Sequence, residues 1–208
     1  MYYRRTGYKF TKSMTFYLIA VNIIFFIIQL FIPWFTYIFE LKPDYALSGM
    51  WWQFITYMFL HGGVFHITIN MFVLAIFGFP LELVIGKKRF TLLYFISGVG
   101  SAIIYILFTG TDYALIGASG AVFGVLAAYA FKFPRSWVYI FGLFPLPAAL
   151  LIVLLLIEES FYGLMGAQPG IANFGHVGGI LTGLALMFLW KVRDERKKQV
   201  RDFEFIWE

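Results

Sequence analysis

Charged residues are missing from long stretches of this chain, and the length of those stretches limits what it can fold into. Uncharged intervals run 13–39, 45–81, 90–111, 113–131, 136–157 and 160–190. A hydrocarbon core about 30 Å thick takes roughly 17–25 helical residues to cross, so each interval can hold one span. Interval 45–81 is longer than a span needs. It reads as an external loop with Trp51 and Trp52 at the interface, followed by a helix from Phe65 to Val84. The expected fold is an all-α membrane protein, a bundle of six transmembrane helices. The composition agrees: 61% of the residues are hydrophobic and 13% charged, whereas a soluble domain carries about 25% charged residues. Aromatic residues at 22% exclude disorder. With no cysteine, disulfides, zinc–cysteine sites and thiol catalysis are excluded as well.

The basic residues orient the bundle. Arg4, Arg5, Lys9 and Lys12 precede the first span, and Lys87, Lys88 and Arg89 lie between the second and third. Lys132 and Arg135 lie between the fourth and fifth, and the remainder follow the sixth. All but Lys42 of the 16 Lys and Arg residues therefore fall on one side. The positive-inside rule places that side, with both termini, in the cytoplasm. Glu40, Asp44, Asp112, Glu158 and Glu159 mark the opposite side. The net charge of +5 is thus a product of topology and implies no nucleic-acid partner. The first apolar stretch exceeds the h-region of a cleavable signal peptide, and no organellar presequence is expected. The expected location is the plasma or inner membrane, multi-pass. The organisation reads as a cytoplasmic segment 1–12, a six-span domain 13–192 and a cytoplasmic tail 193–208, without repeats.

Polar groups inside such spans are costly and mark function. His61, His66 and His176 all fall in uncharged intervals, and Asn70 follows His66 by one helical turn. Ser119 stands in Gly117-Ala118-Ser119-Gly120 at the start of the short fourth span. At 1.5 Å per residue, Ser119 lies about 20 Å above Lys132 and His176 about 22 Å above Lys191. Asn70 lies roughly 18–26 Å above the inner boundary, depending on whether Glu82 or Lys87 marks it. The three share one level, about 10 Å below the outer edge. Helix four then starts inside the membrane, and an irregular segment must descend from Asp112 to Gly117 beside protein or a wet cavity. Gly120 and Gly124 on helix four, with Gly175, Gly179 and Gly183 on helix six, form small-residue ladders that allow close approach. His176, Gly179 and Gly183 share one helix face, which directs the imidazole along that seam.

Such a layer suits acyl transfer. A serine hydroxyl needs a positioned base to become a nucleophile, and an imidazole can take its proton and return it to a leaving amine. Free amides at the start of helix four, aided by Asn70 and His66, can hold an oxyanion. With no carboxylate expected at this depth, the constellation reads as a dyad. Asn22 and Gln29 in helix one read as interhelical hydrogen bonders, and Trp34, Trp51 and Trp52 as interfacial anchors.

His61-x4-His66-x3-Asn70, Gly117-x-Ser119-Gly120 and His176-x2-Gly179-x3-Gly183, in that order on helices two, four and six, resemble the rhomboid family of intramembrane serine proteases. The resemblance covers all six spans. It implies Ser119 as nucleophile, His176 as general base, and Asn70 and His66, with Ser119, around the oxyanion. It implies supporting roles for His61, Gly117, Phe123, Gly179 and Gly183. It further implies single-span membrane proteins as substrates, cut near the outer leaflet after a small side chain, and no cofactor. Lateral access is expected through movement of helix five (Trp137 to Ile157), with 160–172 as a flexible lid. Two departures stand out. Phe123 replaces a frequent tyrosine, and Gln53 follows Trp52 where arginine is frequent, which removes a cation that braces the first loop.

Three rivals are weaker. Zinc lacks an H-E-x-x-H motif and a nearby carboxylate in this reading. A transporter lacks paired discontinuous helices and charged midplane residues. A non-catalytic, helix-binding relative of the proteases has no need of Ser119 and His176 together.

Overall fold

The computed structural model describes residues 10–110, 113–140, 142–166 and 172–204, with side chains described as far as residue 195 in the last helix. The basic N-terminal residues Arg4, Arg5 and Lys9, the start of the proposed descent at Asp112, and the lid positions Pro169 and Gly170 lie outside that range.

Helix α1 (Met14–Phe31) follows a 3₁₀ turn at Phe10–Lys12, and Ser13 caps it by accepting the Phe16 amide at 3.0 Å. A loop then carries three short helices, α2 (Pro33–Phe39), α3 (Pro43–Leu47) and α4 (Gln53–Thr56), and a 3₁₀ turn at Tyr57–Phe59. Gln53 is wholly buried in this loop. Its Oε1 accepts the Lys42 amide at 3.1 Å, and its Nε2 donates to the Ile38 carbonyl at 3.3 Å. A neutral carboxamide thus braces the loop from both sides, with no cation required. Gln29 ties α1 to the same loop, accepting the His61 amide at 2.9 Å and donating to Thr36 at 3.0 Å.

Helices α5 (Val64–Ile85) and α6 (Lys87–Thr109) run back and forth across the bundle, and α7 (Ser119–Lys132) is a shorter apolar helix. A two-stranded antiparallel hairpin, β1 (Trp137–Ile140) and β2 (Phe144–Pro147), leads into α8 (Ala148–Met165) and α9 (Asn173–Glu204). Among the described residues, five helices are long and apolar enough to cross a membrane: α1, α5, α6, α8 and α9 over Asn173–Glu195. With α7 they make the six-helix bundle, and the short fourth member begins within it.

Three expectations change. Helix five does not begin at Trp137: residues 137–147 form the hairpin, because Pro145 and Pro147 cannot donate to a helical ladder and bias the residues before them toward extended backbone. Helix five instead begins at Ala148 and continues to Met165, where Gly166 closes it in the left-handed region at φ 59. The first part of the expected lid, 160–165, is therefore helix, and Glu158 and Glu159 stand inside α8, not on a connecting loop. Glu82, used above as a boundary marker, is also internal. It lies buried in α5 and accepts the Met14 and Thr15 amides, each at 2.9 Å, and the Thr15 hydroxyl at 2.8 Å. A carboxylate at a helix N-terminus meets unpaired amides and the positive end of the helix dipole, so α5 caps α1. The last helix continues from the span into the tail as far as Glu204.

The core is built around α7, whose Ala121, Val125, Ala127 and Ala128 are fully buried, with α6 and α9 packed on it. Side chains between these helices are minimal. A Cβ at Gly179 would collide with the Gly120 carbonyl, and one at Gly183 with the Gly124 carbonyl. A Cβ at Gly120 or Gly124 would strike Ser101 or Ser97 of α6. Main chain touches main chain along the α7–α9 seam, as the small-residue ladders require.

Candidate active site

The site begins with the irregular segment that delivers α7. Leu115 pairs with Leu41 through two backbone hydrogen bonds of 3.0 and 2.9 Å, and the Gly117 amide donates to the Tyr57 carbonyl at 3.0 Å. The first loop therefore holds residues 115–117 extended. Gly117 turns the chain with φ 127, and a Cβ there would lie 2.9 Å from His66 Cε1, so both its backbone angle and the space around it demand glycine. Helix α7 starts two residues later. Its first helical bond runs from the Val122 amide to the Ala118 carbonyl at 2.9 Å, so the amides of the preceding turn have no place in the ladder.

Across the seam, His176 Nε2 lies 2.8 Å from Ser119 Oγ. Phe123, one turn along α7, stacks on the imidazole with centroids 4.4 Å apart and planes inclined by 16°. The phenyl face thus holds the ring without a hydroxyl. On the other side of the ring, His176 Nδ1 lies 3.0 Å from Glu159 Oε1, and the Asn173 carboxamide donates to Glu159 Oε2 at 2.7 Å. The expectation that no carboxylate reaches this depth is corrected: α8 brings one to the His176 imidazole. The Nδ1 contact is an ion-pair distance, bent away from good hydrogen-bond geometry.

His66 sits on the Gly117 side. Its Nδ1 accepts the Gly62 amide at 3.3 Å, which assigns the ring proton to Nε2. That N–H is a donor beside the turn of Gly117 and Ser119. Asn70 donates one carboxamide N–H to the His66 carbonyl at 2.9 Å and keeps a second. His61 is buried and meets the His66 ring edge-on at 5.1 Å, with no hydrogen bond to either ring nitrogen. Burial, then the neighbouring His66, pushes its pKa down to about 3, so it stays neutral. It packs the loop against the site.

Ser119, His176, His66 and Asn70 line one cavity of about 1230 Å³. Phe65 and Ile69 of α5 form one wall and Leu155 and Tyr162 of α8 another, so the hollow lies between two spans. Among the described residues, no three His, Cys, Asp or Glu side chains cluster as metal ligands.

Residues 48–192 match the Rhomboid domain family. The chain belongs to the rhomboid family. It is 39% identical over 139 residues to RHOMBOID-like protein 6, mitochondrial, of Arabidopsis thaliana, covering 66% of this chain and 43% of that one. It is 37% identical over 144 residues to Rhomboid-type serine protease 2 of Emericella nidulans, covering 69% and 27%. RHOMBOID-like protein 5 of Arabidopsis thaliana matches at 33% over 150 residues, covering 71% and 47%. The chain spans less than half the length of these relatives. This rhomboid is a multi-pass membrane protein with the family's helical bundle. What reading the sequence missed in it is Glu159. The signal available was their cost: Glu159, inside α8, and Asn173, at the start of α9, are both polar groups near lipid.

Proposed function

We propose that this rhomboid is an intramembrane serine endopeptidase that cleaves single-span membrane proteins. The observation that carries the reading is the 2.8 Å contact between Ser119 Oγ and His176 Nε2 at a hollow between two spans, which His66 and Asn70 also line. Neutral His176 takes the hydroxyl proton on Nε2 as Oγ attacks the scissile carbonyl. The carbonyl oxygen gains the negative charge and finds the first amides of α7, with His66 Nε2–H and the free Asn70 N–H as further donors; each such donor contributes about 3–4 kcal/mol in enzymes of this type. His176 then protonates the leaving amine as the C–N bond breaks. Water, activated by the same imidazole, releases the acyl group and restores Ser119.

A substrate helix must unwind to present its carbonyl. The cavity between α5 and α8 supports lateral access through displacement of α8, and the reading takes cleavage to fall after a small side chain near the outer leaflet. The basic end of the bundle faces the cytoplasm of a plasma or inner membrane. The test is cleavage of a reporter transmembrane substrate in liposomes, together with fluorophosphonate labelling. Ser119→Ala and His176→Ala, both folded, are expected to lose both signals. Cleavage that persists in Ser119→Ala rejects the nucleophile and leaves the helix-binding alternative.

A further inference from the structure

The mechanism above uses one nitrogen of the imidazole, and the structure supplies a partner for the other. Glu159 places one oxygen 3.0 Å from His176 Nδ1 and the second at 2.7 Å from the Asn173 carboxamide, so both oxygens face α9. A carboxylate inside an apolar bundle is unfavourable unless it is paired. Among the described residues, this one pairs with His176 itself and with Asn173, three residues before it. The buried residues of α8 are Ala148, Leu151 and Ile152, all in its first half. Its second half meets α9 through Glu159 and through Gly163, which lies against Phe174.

We propose that Glu159 is a positioning residue for His176, which turns the Ser119–His176 pair into a three-member relay when α8 is docked. This rests on the protease reading. The carboxylate holds the proton of the neutral imidazole on Nδ1, which leaves the Nε2 lone pair for the Ser119 hydroxyl. It then balances the imidazolium formed when that hydroxyl is deprotonated, and it keeps its own charge throughout. Other titratable groups that line the same cavity are His66, which is coupled to the imidazole, and Tyr105, Tyr113 and Tyr162. The bent Nδ1 contact straightens as the ring becomes a cation, since charge-assisted bonds are the shorter and stronger ones. Because Glu159 rides on α8 while Ser119 and His176 ride on α7 and α9, outward displacement of α8 removes the carboxylate from the base. The site is fully assembled only after α8 returns.

Glu159→Gln tests this, because it removes the charge while keeping the size and an acceptor for Asn173. Labelling of Ser119 by a small fluorophosphonate reads nucleophile activation without requiring a transmembrane substrate to pass α8. Labelling and kcat are both expected to fall about 10- to 150-fold, the factor for one hydrogen bond to a charged group. KM for the transmembrane substrate is expected to change far less. Glu159→Asp, which restores the charge, is expected to recover part of the loss. Parental labelling in folded Glu159→Gln, or a change confined to KM or thermal stability, overturns the proposal and makes Glu159 a helix latch. If Glu159→Gln does not fold, Asn173→Ala decides: it frees the carboxylate and is expected to slow labelling severalfold, and an unchanged rate overturns the proposal. Inactive Ser119→Ala beside fully active Glu159→Gln refutes this inference alone, whereas active Ser119→Ala refutes the protease reading beneath it.

Discussion

Gly179→Ala adds one methyl group at the point where α7 and α9 touch. The new Cβ would lie 2.9 Å from the Gly120 carbonyl carbon and 3.2 Å from its Cα, with the carbonyl oxygen closer still. Carbon contacts settle at about 3.5–4.0 Å. The obstructing atoms are main chain, so no rotamer relieves the clash, and α9 must move from α7 by roughly 1 Å. Ser119 Oγ and His176 Nε2 start 2.8 Å apart. The same displacement takes them to about 3.8 Å, beyond hydrogen-bond reach. A misplacement of that size costs on the order of 100-fold in rate, and overpacking costs about 1–3 kcal/mol in stability. The assay pairs substrate cleavage in liposomes with thermal denaturation of the same preparation. A rate within about threefold of the parent, worth roughly 0.7 kcal/mol, together with an unshifted Tm, would refute the claim that main-chain contact sets the site.

Two further outcomes follow from the same structure. Glu82→Ala strips the cap from α1 and leaves the Met14 and Thr15 amides without their acceptor, so stability is expected to fall by about 1.5–3 kcal/mol for each bond not replaced by water; an unchanged melting midpoint in detergent contradicts the capping role. Phe123→Ala removes the ring stacked on His176, and fluorophosphonate labelling is expected to slow about 2- to 13-fold, the equivalent of 0.5–1.5 kcal/mol of ring contact; parental labelling shows that the imidazole keeps its orientation without the phenyl face.

Much of the bundle was legible because lipid permits so few arrangements. The uncharged intervals located the helices, and counting residues from Lys132 and Lys191 placed Ser119 and His176 at one height. The glycines named the seam that joins them. The failures share a cause. Charges were read as span ends, on the premise that a carboxylate must reach water. Glu82 and Glu159 break that premise, since each is satisfied inside the bundle by donors from another helix. Those donors come from residues distant in sequence, so no local pattern announces them. The hairpin at 137–147 was lost in the same way: an apolar run counted as a span hid two prolines that forbid a helix there. Gln53 shows the converse, since its loop is braced by backbone acceptors and donors that only the folded chain brings together.

The bare joint between α7 and α9 has one more consequence. A spacing fixed by peptide groups in contact contains no rotamers, so it neither creeps with temperature as packed side chains do nor depends on what faces the lipid. The outer surfaces of α1, α5 and α6 can follow the bilayer the protein inhabits, while the distance between the two backbones that carry Ser119 and His176 stays set by their own peptide groups.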